Sequence, residues 1–270
     1  MVSGTVKGAA GGVVRVVTDP AHGGRWTSLV TGGPGGPREW LWHRDEPRRS
    51  AVAPGDPFAD AGGLEECLPT VRGTPDHGEV WSRPWTREGD VERVTGPDFR
   101  LDRRIRTVPG GAVVADYRLT AAPGHRFLWA AHALLDVSPA ARLDLPAGAP
   151  GRRYPDGGAS WTPFAWPGPD RFDRLGPDDG TALGAIVTAA DVTVHDGPHA
   201  LRLALDAPGQ PVSVALWRNL RGFPAGAPYR SIGVEPMLGR VWDLSAAAGD
   251  EAALVPATGE AHWRLTICAG

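Results

Sequence analysis

The chain has 270 residues, 41% hydrophobic and 22% charged, with a formal net charge of −3. That balance supplies no basic field for nucleic acid, and no stretch approaches the roughly 20 apolar residues of a membrane helix. The two cysteines, Cys67 and Cys268, lie far apart and form neither a disulfide framework nor a CxxC metal pair. With no long apolar segment before a cleavage site, a cytoplasmic protein with reduced thiols is expected.

In chain order, residues 1–60 read as short strands broken by glycine. The candidates are 25–30 and 38–43, around a Gly-Pro-rich turn at 31–37, followed by a polar, Pro-rich loop at 44–60. Residues 62–85 are the densest in residues that are costly to place. Gly62 and Gly63 open the stretch, Pro69, Pro75 and Pro84 punctuate it, and Trp81 and Trp85 close it. Within it, Asp76-His77-Gly78-Glu79 sits between turn signals. A His held on a rigid turn beside carboxylates and indoles reads equally well as part of a pocket and as a surface loop capping a core.

Alternation with period two begins at 99–108. Phe99, Leu101 and Ile105 share one face, with Arg100, Asp102, Arg104 and Arg106 on the other. In 112–119, Val113, Ala115, Tyr117 and Leu119 share a face, and Pro109-Gly110-Gly111 is a hairpin signal between the two runs. Residues 127–135, FLWAAHALL, read as a strand buried on both faces, although periodicity alone leaves a short helix open. Residues 138–180, rich in Pro, Gly and Asp and holding Tyr154, Trp161, Phe164 and Trp166, are expected to be a long functional loop. Strands are predicted again at 183–194, 199–205, 212–217, 231–238 and 262–268, with a loop at 218–229. The best candidate helix is 245–254. No repeat, heptad or linker divides the chain, so a single all-β domain over 1–270 is expected, with many antiparallel strands in two large packed sheets.

Three ionisable residues stand out. His77 is on the rigid turn, His132 shares a strand face with Leu128, Ala130 and Leu134, and Glu235 faces away from Ile232 and Val234. A His or Glu inside an apolar strand costs free energy unless it is paired. Taken singly, His132 reads as a satisfied core histidine and Glu235 as an edge residue before Pro236.

Their order resembles the aldose 1-epimerase (galactose mutarotase-like) family. The resemblance rests on Gly62-Gly63 running to Pro69, on Pro75-Asp76-His77-Gly78 followed by Trp81 or Trp85, and on Ala131-His132-Ala133-Leu134. Val234-Glu235-Pro236 near the C-terminus completes it, with support from 24–29, 39–42 and Trp217-Arg218-Asn219. It implies a large antiparallel β-supersandwich and interconversion of sugar anomers without a cofactor or metal. It implies Glu235 as base, His132 as acid and His77 as a second donor, with acid and base on opposite sides of the ring. A small-molecule sugar partner is expected, in a monomer or homodimer, bound through Asp76, Trp81, Arg83, Trp161 and Trp217; Trp81, Trp85, Trp161 and Trp217 are candidates for stacking on sugar C–H faces, and each reads equally well as plain core. The chain departs from the phosphate-sugar branch where Ala61 precedes Gly62 in place of an Arg, so a non-phosphorylated sugar is expected, and from the galactose branch where Leu64-Glu65-Glu66-Cys67 stands in place of an Asn-Arg pair, which changes the substrate groups that can be bound. Two other readings compete. One is a non-haem metalloenzyme using two His and a carboxylate, with His77-Gly78-Glu79 as the short ligand pair. The other is a carbohydrate-binding or pathway-specific isomerase or lyase relative on the same fold.

Overall fold

A computed structural model describes residues 12–33, 35–155 and 160–270. Pro34 of the predicted turn and 156–159 of the predicted long loop lie outside the described residues. The strands in chain order begin with β1 (Val14–Asp19), β2 (Arg25–Thr31), β3 (Arg38–Glu39), β4 (Leu64–Cys67), β5 (Thr86–Glu88), β6 (Val91–Thr95) and β7 (Phe99–Thr107). They continue with β8 (Val113–Ala121), β9 (Arg126–Phe127), β10 (Trp129–Leu135), β11 (Arg142–Asp144), β12 (Pro150–Tyr154), β13 (Thr162–Ala165) and β14 (Ala182–Val187). The last six are β15 (Asp191–Asp196), β16 (His199–Asp206), β17 (Val212–Leu220), β18 (Arg230–Leu238), β19 (Ala253–Leu254) and β20 (Glu260–Ala269).

Two large antiparallel sheets result, and β9 and β19 pair apart from them as a two-stranded ribbon. The larger runs β1-β2-β4-β10-β18-β17-β14-β12-β13, with β3 added beside β2. The smaller runs β11-β15-β16-β20-β8-β7-β6-β5. The predicted alternation explains how they pack. Leu101, Tyr117, Leu203 and Leu265 of the smaller sheet join Trp129, Ala131, Val214, Leu216, Ile232 and Val234 of the larger in one hydrophobic core. The 127–135 run is extended, not helical: Phe127 ends β9, Trp129–Leu135 form β10, and every residue of β10 is buried because a second layer covers its other face. There Cys67, Leu128, Ala130, Ala215 and Met237 pack under Val71, Trp242 and Ala252.

Four expectations need correction. Residues 138–180 are not one loop: β11, β12 and β13 lie within them, and the last two extend the larger sheet. Their Gly and Pro content hid short strands at or next to the sheet edges. The predicted strand at 183–194 is two strands, β14 and β15, in different sheets, split by a turn at 188–190. Residues 245–254 form no α-helix but two 3₁₀ turns, Leu244–Ala246 and Gly249–Glu251, and the short β19. The 38–43 run is paired in β3 only at Arg38–Glu39, continuing as single bridges at Leu41 and His43. No helix among the described residues is long and apolar enough to cross a membrane.

One polar network crosses the core. Arg103 of β7, on the inward face with Leu101 and Ile105, is wholly buried. Its guanidinium donates to Glu66 of β4 at 2.6 Å, to Glu92 of β6 at 3.0 and 2.6 Å, and to the Gly24 carbonyl at 2.6 Å. Glu66 also accepts from the Tyr117 hydroxyl at 2.8 Å and the Trp129 indole at 2.7 Å. The network is fully hydrogen-bonded, the condition for tolerating buried charge, and it ties one sheet to the other.

Candidate active site

The site lies on the face of the larger sheet turned away from the smaller one. Successive strands contribute neighbouring residues on that face. The β10–β18 register pairs Ala130 with Met237 and Leu134 with Gly233, which sets His132 opposite Glu235. On β17, Trp217 pairs with Gly233, and on β14, Gly184 pairs with Trp217. On the other side of His132, Glu65 of β4 is its partner. Pro236 gives no N–H, and the β10–β18 pairing is interrupted opposite Val234–Pro236, beside His132. Glu235 is therefore no edge residue: it sits mid-sheet and is 1% exposed.

Of these residues, His132, Leu134, Gly184, Trp217 and Glu235 line a cavity of about 370 Å³. Loops close over it and bring Phe58, Asp60, Asp76, His77, Tyr229 and Trp242 to its wall. His77 adopts φ +60°, and its N–H donates to the Val71 carbonyl at 3.0 Å. The turn needs glycine at 78, where a Cβ would come 2.2 Å from the Leu68 carbonyl oxygen. Phe58 stacks on the His77 ring with centroids 3.6 Å apart, and His77 meets His132 edge to face at 5.0 Å. His132 Nε2 lies 3.7 Å from Glu235 Oε1. His132 Nδ1 and Glu235 Oε2 are buried without a hydrogen-bond partner, whereas His77 Nδ1 faces Asp76 Oδ1 at 3.1 Å.

Burial pushes the Glu235 carboxyl above its ordinary range, opposed by His132 and Arg72. Burial also pushes the His132 imidazole below its ordinary value, opposed by the Glu235 carboxylate. Burial works against ionisation of Asp76 too, but His77, with Nδ1 3.1 Å from Asp76 Oδ1, and Arg72 outweigh it and hold Asp76 below the usual carboxylate range. Asp60 is oriented at both oxygens: Gly62 N–H donates to Oδ1 at 3.0 Å and the Tyr229 hydroxyl donates to Oδ2. Tyr229 stacks on Trp42 at 5.2 Å, with the Arg44 guanidinium 4.7 Å from its ring centroid. The cavity wall thus offers hydrogen-bonding groups of both kinds between aromatic faces, the usual make-up of a small-molecule site.

Of the residues singled out in the sequence, His77, His132, Glu235, Asp76 and Trp217 converge on this cavity. Trp81, Arg83 and Trp161 do not line it. Trp81 is buried behind the turn, where its indole donates to the Asp76 carbonyl at 3.1 Å and Arg49 lies over its ring. Arg83 is spent on Glu79 at 2.6 Å. Trp161 is 42% exposed beside the edge strand β13, under the Arg152 guanidinium. The Arg83 pairing also occupies the Glu79 carboxylate, which removes the short His77–Glu79 ligand pair. Among the described residues, no group of three or more His, Cys, Asp or Glu side chains is arranged to hold a metal ion. Glu65, beside His132, is held by Arg49 through two hydrogen bonds of 2.8 and 2.9 Å. Sequence reasoning missed Phe58, Asp60, Tyr229 and Trp242. Each sits on a loop, where no periodicity marks a side chain as inward.

No family model matches the chain, and no curated protein matches it. Solved structures do. A candidate aldose 1-epimerase from Escherichia coli K12 superposes with a TM-score of 0.70 at 13% identity, covering 96% of both chains. A galactose mutarotase related enzyme from Lactobacillus acidophilus gives 0.61 at 12%, covering 96% of this chain and 95% of the other. An aldose epimerase homologue from C. elegans gives 0.60 at 12%, covering 96% of both. The fold is galactose mutarotase-like. At these identities the likeness extends to architecture, and the chemistry has to be argued from the cavity itself.

Proposed function

We propose that the chain is an isomerase of the aldose 1-epimerase type, interconverting the anomers of a free, non-phosphorylated sugar by acid–base ring opening. The observation that carries this reading is the His132–Glu235 pair, 3.7 Å apart on adjacent strands, with free polar atoms in an aromatic-walled cavity. Opening a pyranose requires a proton to leave the O1 hydroxyl and a proton to reach O5. Both oxygens are bonded to the same carbon, so acid and base side by side on one sheet face suit the task, and the expectation that they straddle the ring is dropped.

In the proposed cycle the Glu235 carboxylate takes the O1 proton, the C1–O5 bond breaks, and His132 gives its proton to O5. The open-chain aldehyde rotates about C1–C2. Closure reverses the transfers on the other face: His132 takes the O5 proton as O5 attacks C1, and Glu235 returns its proton to O1. No net proton is consumed, and each group ends in its starting state. His77, fixed by Phe58 and Asp76, supplies a second donor near the ring oxygen. Phe58 and Trp217 offer faces for sugar C–H bonds.

A neutral sugar fits the charge of the wall. Glu46, Asp60, Asp76 and Glu235 share it with Arg44, Arg48 and Arg72, so no surplus of positive charge favours a phosphate dianion. The test is direct: purified protein is mixed with a freshly dissolved pure anomer, and the approach to anomeric equilibrium is followed by polarimetry or NMR. Acceleration with D-glucose or D-galactose in preference to glucose 6-phosphate is expected. A strong preference for the phosphate would overturn the substrate class.

A further inference from the structure

Trp242 shares a property with the acid–base residues. Three cavity-lining side chains hold a buried polar atom without a hydrogen-bond partner: His132, Glu235 and, at its indole Nε1, Trp242. A buried N–H left unpaired costs about 1–3 kcal/mol. Its absence of a partner here is not explained by loose placement. The Trp242 carbonyl accepts from Arg72 N–H at 2.8 Å, from Val71 N–H at 3.2 Å and from the Thr70 hydroxyl at 3.3 Å. Its ring meets Tyr154 edge to face at 5.6 Å, and the residue is 8% exposed.

Gly184 of β14 lies beside the ring and lines the same cavity. A Cβ at Gly184 would sit 3.7 Å from Trp242 Nε1 and 3.5 Å from the ring carbon Cζ2, in ordinary contact with both. The missing side chain at 184 thus leaves open the space next to the indole N–H. Trp26 and Trp263 also carry unpartnered indole nitrogens, but both are sealed in the core between the sheets.

We infer that Trp242 is a substrate-binding residue whose Nε1–H donates a hydrogen bond to a ring hydroxyl of the sugar, with Gly184 keeping the approach clear. This rests on the mutarotase reading and adds to it a donor that selects for a hydroxyl at one ring position. A site built to hydrogen-bond a hydroxyl rejects the analogue lacking it, because the protein group is then left unpaired.

The test uses the full chain in two variants. Trp242→Phe keeps an aromatic ring and removes the N–H. Gly184→Ala keeps the indole and puts a methyl in front of it. Mutarotation is measured by NMR for D-glucose or D-galactose and for its 2-, 3-, 4- and 6-deoxy forms. Both variants are expected to raise KM by about 5- to 30-fold, the factor for 1–2 kcal/mol, with kcat changed far less. One deoxy sugar should show the same rise with wild type and no further rise with Trp242→Phe, since the bond is already absent. Turnover by wild type reports on the mutarotase reading, and the ratio of variant to wild-type KM reports on Trp242. Wild-type turnover together with unchanged KM in both variants overturns the role of Trp242 and leaves the proposed activity standing. A rise in KM that is equal for all deoxy sugars in Trp242→Phe also overturns it, since that marks general loss of packing.

Discussion

The Glu235 carboxylate rests against the bare Cα of Gly233, two residues earlier on the same face of β18. A Cβ at position 233 would come 2.4 Å from Glu235 Oε1 and 3.0 Å from Trp217 Cβ. Gly233 therefore sets where the proposed base can lie.

Replacing Gly233 by Ala should push the tip of Glu235 aside while leaving the strand paired. A displacement of about 1 Å in a reacting group can cost about 10²-fold in rate. We expect Gly233→Ala to lower kcat by that order with a small change in Tm. Wild-type kcat in this variant would mean that the carboxylate position is unimportant.

The pH dependence follows from the shift at Glu235. Its folded pKa is raised above the ordinary 4.5, so the ionised base is lost as pH falls through a value higher than 4.5. An acid limb in kcat/KM with its midpoint above 4.5 is expected, and Glu235→Gln should abolish that limb along with most of the rate. For stability the sign is the reverse. A raised folded pKa contributes stability that is present below 4.5 and is lost as pH rises through the folded value. Glu235→Gln should remove that component, which denaturant titration across the same pH range would detect.

His77 holds φ +60°, a conformation that Asn tolerates better than most residues. His77→Asn should therefore fold, lose the stack on Phe58, and raise KM more than it lowers kcat. Steady-state mutarotation kinetics would measure the two separately. A kcat loss as large as that of Glu235→Gln would make His77 a proton-transfer group instead of a binding one.

The buried network offers a stability test apart from the site. Arg103→Met would leave Glu66 buried without its cation, and Glu92 with Arg87 alone, and breaking such a buried pair costs about 3–5 kcal/mol. Glu66 points into the core, on the face of β4 opposite Glu65, so activity per folded molecule should persist at low temperature. Urea unfolding would measure the loss, and an unchanged midpoint would contradict the clamp between sheets.

The sequence displayed half-buried strands clearly where one face was apolar and the other charged, as in β7, β16 and β20. Arg103 broke that rule. It lies on the inward face of β7, and only its ionic partners, Glu92 on the adjoining hairpin strand β6 and Glu66 on β4 far off in sequence, make that placement tolerable. The short strands β12 and β13, the last two of the larger sheet, were hidden by their Gly, Pro and Arg, because the end of a sheet needs few apolar residues. In the site, His132 and Glu235 were legible because a polar residue inside a buried strand is conspicuous. Trp81 and Trp161 misled, since an indole packs behind a turn or on an edge as readily as against a ligand. Asp60, Tyr229 and Trp242 were missed because loops carry no period, and their convergence depends on tertiary closure.

The central claim is that Glu235 removes the anomeric proton, and Glu235→Gln tests it most directly. Gln keeps the shape of the side chain and the contact with Gly233 but cannot act as the base. Positioned acid–base groups contribute about 10²- to 10⁴-fold. Measured together, kcat for sugar mutarotation should fall by that order while Tm holds or rises, since a buried carboxylate is replaced by a neutral amide. A Glu235→Gln protein with wild-type kcat and wild-type Tm would contradict the account.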